Sequence, residues 1–428
     1  MKRRDFLKQT GISIGALALL GPQAFAAHAG EIMPKKGKRV VVIGGGFGGA
    51  TAAKYLRMID PGLEVVLVEQ RDRFVSCPVS NLVLAGLKEM KDITLDYRNL
   101  SKKHGVKVVI AEVAAIDAAA HAIDTSAGRI TYDRLIVSPG VDFIYETIPG
   151  MDGAARSLFP HAMKAGEQTV QLRRELEALT PGQNVIISIP EAPYRCPPGP
   201  YERACMIAHY LKRNKQGSKV IILDANEDVV SKGKLFKAAW KDYYAGIIDY
   251  RPDSAVKKVD ASKRMVTTQA GDIGAAIINV IPDQKAGALA FQSGLVPPKR
   301  RWVPVSALTF ESTVYKDVHV IGDATDGEVI GSMPKSGFVA SAMGKSVAAS
   351  VAAMLAGKEP FAPSLANTCY SMVNEREAIY VTGVFEYDAK SRKMAGVKAA
   401  GGVSPERSER LGIQAEDWAR SIWADTLG

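Results

Sequence analysis

Lys38-Arg-Val-Val-Val-Ile-Gly-Gly-Gly-Phe-Gly-Gly-Ala-Thr-Ala-Ala-Lys54 carries an apolar run, a glycine run and a helix-forming segment in succession. Val40 to Ile43 suits a short buried strand, and Ala50 to Leu56 has helical spacing. Gly44-x-Gly46-x-x-Gly49 therefore falls at a strand-turn-helix junction. There, Gly44 permits a tight turn, Gly46 lets backbone approach a pyrophosphate, and Gly49 lets the helix pack close to the strand. The helix N-terminus then faces the phosphate charge. A second strand, Glu64-Val-Val-Leu-Val-Glu69, ends in a carboxylate 20 residues after Gly49, placed to accept a ribose hydroxyl. The expectation is a dinucleotide-binding α/β domain. A glycine-rich turn with no ligand is the plainer alternative.

Upstream, Lys2-Arg3-Arg4-Asp5-Phe6-Leu7-Lys8 precedes an apolar run from Ile12 to Leu20 and small residues at Ala26 to Ala29. This pattern is a secretory signal, and its arginine pair resembles the twin-arginine export type. The run is short for a bilayer span. Cleavage near Ala26–Ala29 and a periplasmic mature protein are expected, with residues 1–29 as the leader. Twin-arginine export carries folded proteins, which suits a chain that acquires a nucleotide in the cytoplasm.

The formal charge of +10 falls to about +7 when Lys2, Arg3, Arg4 and Lys8 leave with Asp5. What remains is scattered, without the basic stripe and interleaved aromatics of a nucleic-acid binder. No later apolar run looks long enough to span a membrane. The four cysteines, Cys77, Cys196, Cys205 and Cys369, form no C-x-x-C, and the six histidines lack ligand spacing. No metal site or attached haem is expected in this chain. Any haem c would belong to a partner.

Tyr132-Asp-Arg-Leu-Ile-Val-Ser-Pro-Gly140 resembles the strand and glycine that close the first nucleotide domain of two-dinucleotide flavoproteins. Val318-His-Val-Ile-Gly-Asp-Ala324 resembles their second flavin motif. The resemblance implies that Asp323 bonds a ribityl chain and that the helix beginning near Lys335 aims its positive end at the flavin. It implies FAD rather than NAD. Between these motifs, His161 to Leu179 is helical in pattern, and strands are expected at 184–189 and 219–224 around a helix at 201–212. Where a second glycine fingerprint would stand, the chain reads Pro190-Glu-Ala-Pro-Tyr-Arg-Cys-Pro-Pro-Gly-Pro200. Such a segment cannot supply a flexible phosphate turn, so NAD(P)H is not expected as reductant.

Arg195-Cys-Pro-Pro-Gly-Pro-Tyr-Glu-Arg203, Met333-Pro-Lys-Ser-Gly337 and Asn367-Thr-Cys-Tyr-Ser371 resemble the flavoprotein subunit of flavocytochrome c sulfide dehydrogenase. The resemblance spans the mature chain. It implies an α/β, glutathione reductase-like fold of two Rossmann-type dinucleotide-binding domains with a C-terminal α+β interface domain. The implied boundaries are 37–155 and 285–356 for the FAD domain, 156–284 for the second Rossmann-like domain, and 357–428 for the last. Cys77 would attach FAD covalently. Cys196 and Cys369 would be a redox-active disulfide beside the flavin, with Glu202 as a nearby acid-base group and Lys335 among the cofactor-binding residues. Sulfide would be the substrate and a c-type cytochrome subunit the electron acceptor. The chain departs from the family pattern after Cys77, where a bulkier residue is expected, and at Thr325, where some relatives have cysteine. A purely structural Cys196–Cys369 bridge, a free Cys77 thiol and a merely dipole-favoured Glu202 are the plainer readings. Cys196 precedes a helix, whose N-terminal dipole favours a thiolate. Leu411, Ala415, Trp418 and Ile422 recur at helical spacing with mixed charges between them, as in a core or subunit-contact helix rather than a membrane anchor. Two other functions fit the same sequence: an accessory flavoprotein that reactivates a sulfur-carrier protein thiol, and a sulfide:quinone oxidoreductase.

Overall fold

The computed structural model describes residues 31–428; the segment expected to be an export leader lies outside the described residues. Val40 to Val42 are fully buried because their strand, β1 (Arg39–Ile43), is covered on both faces. It is followed by α1 (Phe47–Ile59), β2 (Glu64–Glu69), β3 (Lys107–Ile110) and β4 (Arg134–Val137). With Val318–Val320 these strands form a parallel sheet in the order Val318–Val320, β4, β1, β2, β3. The continuous apolar runs noted in the sequence are thus the doubly covered strands of one sheet.

A second parallel sheet is built from β5 (Val185–Ile189), β6 (Val220–Asp224), β7 (Ile248–Arg251) and β8 (Ile277–Val280), in the order β7, β6, β5, β8. Helices α2 (Gly199–Asn214) and α3 (Gly233–Tyr243) follow β5 and β6. The chain leaves and re-enters the first unit through an antiparallel pair, Val141–Ile144 with Asp283–Ala286. Ile148, Met151, Ala155 and Phe159 already pack on Ile186 and Val280. The polypeptide therefore joins the middle unit before residue 156.

Two expectations need correction. The sequence pattern predicts helix from His161, but it runs only over Glu167–Ala178. The carbonyls of His161 and Ala162, which a helix would need, instead accept the Arg203 guanidinium at 2.7 and 2.6 Å. In addition, α4 (Gly337–Leu355, 19 residues) is long and apolar enough by composition to cross a membrane. Its Gly344 packs against Gly48 of α1 so closely that a Cβ would lie 2.5 Å from the Gly48 carbonyl oxygen. The apolarity of α4 is that of a helix buried between elements of the core.

The last segment folds as an antiparallel sheet, including β9 (Ser364–Met372) and β10 (Ala378–Asp388), and ends in α5 (Glu409–Leu427). Leu365 and Phe385 enter the core of the first sheet, whereas Met372, Ile379 and Ala415 enter that of the second. This segment ties the two Rossmann-type units together and brings β9 to their junction.

Candidate functional site

The glycine turn behaves as its sequence dictates. Gly44 has φ +95° and its missing Cβ would meet the Ser138 carbonyl oxygen at 2.3 Å; at Gly49 it would meet the Gly44 oxygen at 1.9 Å. Gly46 has nothing within 4 Å of that position, so its backbone is open to a ligand. Glu69 is fixed at the cavity wall by the Gly45 and Arg71 N–H groups, at 2.6 and 3.0 Å. Gly44, Gly46, Glu69, Gly140 and Asp323 all line one cavity of about 520 Å³. Asp323 Oδ1 is buried without a partner, and Oδ2 accepts Arg195 Nε at 3.1 Å. A buried carboxylate oxygen left unbonded costs free energy unless a ligand donor meets it. The donor set, the open backbone and this orphan oxygen fit FAD.

Lys335 departs from its expected place. Its ammonium donates to the Asp323 and Thr325 carbonyls at 2.8 and 2.6 Å and sits 3.9 Å from the Trp302 ring centroid. Burial pulls its pKa down to about 8. Lys335 therefore positions Asp323 rather than lining the cavity. Thr325, where some relatives have cysteine, closes the same turn by donating its hydroxyl to the Gly322 carbonyl at 2.8 Å. The helix start is supplied by Ser336, whose hydroxyl accepts Val339 N–H.

A second, aromatic-walled cavity of about 110 Å³ adjoins the first. Cys196, Cys369 and Glu202 line it, brought from the β5–α2 loop, from β9 and from the first turn of α2. Cys77 and Arg195 line both cavities and so stand on their common wall. All four cysteines are thiols, and Cys205 is buried in α2 against Trp240. Cys196 takes a left-handed backbone, φ +57°, held by its N–H to the Lys335 carbonyl and by Gly199 N–H to its own carbonyl, each 2.9 Å. Gly199 is needed there, because a Cβ would lie 2.8 Å from the Cys196 sulfur.

The helix dipole does not win at Cys196. Burial pushes its thiol up to about 12, with Cys369 adding to the rise. Desolvation of a charge outweighs the fraction of a charge at a helix end. Glu202 is also raised by burial, although Asn81 Nδ2 and Met372 N–H donate to it at 2.7 and 2.8 Å and pull the other way.

Sequence reasoning gave no role to Arg195, although it stands inside the quoted motif. Nor did it find Trp423, whose indole donates to Ser76 Oγ at 2.8 Å and braces the Cys77 loop from α5. That loop turns through Val79 at φ +75°. The middle unit also hides a second obstacle to NAD(P)H. Asp224, at the end of β6 where a ribose-binding carboxylate would stand, is fully buried and accepts Tyr201 and Tyr250 hydroxyls at 2.7 and 3.1 Å.

Two Rossmann-type units, an open phosphate turn and a thiol pair beside the flavin cavity define a flavin-dependent oxidoreductase. Residues 38–187 match the pyridine nucleotide-disulphide oxidoreductase family. Residues 169–282 match the central region of the sulfide dehydrogenase [flavocytochrome c] flavoprotein chain, and residues 361–427 match the flavin-binding region of flavocytochrome c sulphide dehydrogenase. A sulfide dehydrogenase flavoprotein chain from Chlorobaculum thiosulfatiphilum is 65% identical over 46 residues, which is 11% of this chain and 96% of that one. A sulfide-quinone reductase from Aquifex aeolicus is 24% identical over 360 residues, covering 79% of this chain and 82% of the relative. The solved sulfide:quinone oxidoreductase of Aquifex aeolicus shares the fold, with a TM-score of 0.75, 19% identity and coverage of 91% and 92%. The chain belongs to the family of flavocytochrome c sulfide dehydrogenase flavoprotein chains.

Proposed function

We propose that this chain is a periplasmic sulfide dehydrogenase that oxidises sulfide at Cys196 and Cys369 and delivers electrons to a c-type cytochrome subunit. The observation that carries the reading is the shared wall. The two thiols line one cavity, the flavin-type residues line the next, and Cys77 borders both.

In its oxidised form the Cys196–Cys369 pair is a disulfide. HS⁻ attacks one sulfur, the S–S bond breaks, and its electron pair leaves as a thiolate on the other cysteine. The product is a cysteine persulfide, and no external oxidant is needed for this step. Glu202, held by Asn81 and Met372, takes the proton when H₂S rather than HS⁻ enters. FAD, when bound, supplies a two-electron acceptor that can release electrons singly. Gly44 and Gly46 would give its pyrophosphate a close backbone, Gly49 would let α1 pack tightly behind that turn, and Asp323 would give its ribityl chain an acceptor. Cys77 is the residue that holds it covalently, and Trp423 keeps the Cys77 loop in place.

Sulfide-driven cytochrome c reduction by the purified protein, with quinone reduction and sulfur-carrier addition measured beside it, tests the acceptor. Turnover only with quinone would favour the sulfide:quinone oxidoreductase reading, which the whole-chain similarity to the Aquifex enzyme supports. Turnover only with the carrier would make the protein an accessory flavoprotein. For the covalent link, flavin fluorescence should stay with the denatured band and vanish from it in Cys77→Ala.

A further inference from the structure

Lys232 breaks three local rules at once. It is a lysine with only 6% exposure, although an ammonium in a protein interior is strongly disfavoured. Its backbone is left-handed, φ +59°, a conformation unfavourable for a residue with a Cβ. It also caps the N-terminus of α3, where the helix dipole repels a cation. Departures from local preference that survive in a fold gather at functional sites.

The ammonium reaches out of the middle unit to β9. It donates to Ser371 Oγ at 2.7 Å and to the Cys369 carbonyl at 3.2 Å. Both partners are neutral, and Lys232 makes no ion pair among the described residues. The other charges around the thiol cavity are already engaged. Arg203 is spent on the His161 and Ala162 carbonyls and on Asn279, and Arg195 on Asp323 and the Met163 carbonyl. At the rim, Lys88 and Arg420 both pair with Glu416. Glu202 faces the cavity with both oxygens bonded to N–H groups, and Cys77, Cys196 and Tyr370 complete the titratable set. Lys232 is thus a buried lysine in no ion pair among the described residues, its ammonium disfavoured by burial and held up by Cys369 and Glu202, and it is fixed behind one of the two redox thiols.

We propose that Lys232 is the positioning residue that makes Cys369, and not Cys196, the thiolate released when sulfide opens the disulfide. The inference rests on the thiol-pair reading above. HS⁻ bonds to Cys196 Sγ, the Cys196–Cys369 bond breaks, and its electron pair stays on Cys369 Sγ. One negative charge enters and one remains, now on the residue whose carbonyl accepts the ammonium. A better-stabilised thiolate is also the better leaving group, so the same lysine directs attack to Cys196. Burial raises both thiols; Lys232 is the strongest opposing influence at Cys369, and Arg195, already paired with Asp323, is that at Cys196.

The test is pH-dependent alkylation of the reduced holoprotein with iodoacetamide, read at each cysteine by peptide mass spectrometry. In the unaltered protein Cys369 should ionise at lower pH than Cys196; the reverse order overturns the proposal without any variant. Lys232→Met should move the Cys369 midpoint up by at least about one pH unit, so that alkylation below it slows about tenfold. Lys232→Arg should keep the midpoint low. A folded Lys232→Met protein with an unmoved midpoint and only a lower melting temperature would make Lys232 a structural tie. The disulfide reading is checked separately in the same samples. If Cys196 and Cys369 alkylate in the oxidised protein before any reductant is added, that reading fails, whatever their order of ionisation.

Discussion

The turn after β1 and the turn after β5 occupy equivalent places in the two Rossmann-type units, and they have opposite contents. The first leaves its backbone accessible: no atom stands within 4 Å of a Cβ position at Gly46, and Glu69 stands at the wall. The second is full. Prolines stiffen it, Cys196 is held in a left-handed turn, and Asp224 is consumed by two tyrosines. One architecture therefore serves two ends. Where the turn stays glycine-rich it cradles a dinucleotide, and where it is filled it becomes the mount for a thiol and a carboxylate.

The strongest way to break this contrast is at the filled turn. Cys196→Ser and Cys369→Ser should each reduce sulfide oxidation by at least about 100-fold, in the range of lost nucleophilic or acid-base groups. Both variants should keep bound FAD and still be bleached by dithionite. Near-normal turnover with a lower melting temperature would make the pair structural. Next is Glu202→Gln, expected to slow sulfide-dependent flavin reduction by about 10²-fold. A base must be deprotonated to work, and burial raises Glu202 above the ordinary carboxylate range. The acid limb of the wild-type rate profile should accordingly lie above pH 4.5 and disappear in the variant. A limb unmoved by the substitution would remove Glu202 from the chemistry.

At the open turn, Gly49→Ala should lower stability by about 1–3 kcal/mol, because its Cβ has backbone oxygen 1.9 Å away. Flavin content after purification and the denaturant midpoint measure this; unchanged values would mean that the turn relaxes freely. The smallest effect belongs to Tyr201→Phe, which leaves Asp224 with one hydroxyl fewer and should cost about 1–2 kcal/mol. Rapid mixing with NADH should leave the flavin oxidised in both wild type and this variant. Fast bleaching in the variant alone would show that the tyrosine, and not the prolines, closes the second site.

The first turn could be read from sequence because its defining contact is local. Gly49 packs on Gly44, and although Gly44 also abuts the distant Ser138 carbonyl, glycine spacing and residue type carry the turn's geometry. Asp323 and Cys77 are marked in the sequence only by motif resemblance, and the structure adds the reason they converge: they meet on the walls of the flavin cavity. The helix expected from His161 failed for a non-local cause, the capture of its carbonyls by Arg203. The apparent membrane run in α4 has a similar explanation, since hydropathy cannot tell lipid from the packed face of α1.

Length, pattern and glycine spacing settled that this chain builds parallel sheets and a phosphate turn, because those follow from interactions within a few residues. Cys196 and Cys369 come together, Lys335 turns away from the cavity, and Lys232 reaches the Cys369 strand only through packing of the middle and C-terminal units. These placements depend on burial and on partners far along the chain. Burial also reversed the expected influence of the α2 dipole on Cys196, because the cost of desolvating a thiolate is set by the whole surrounding fold.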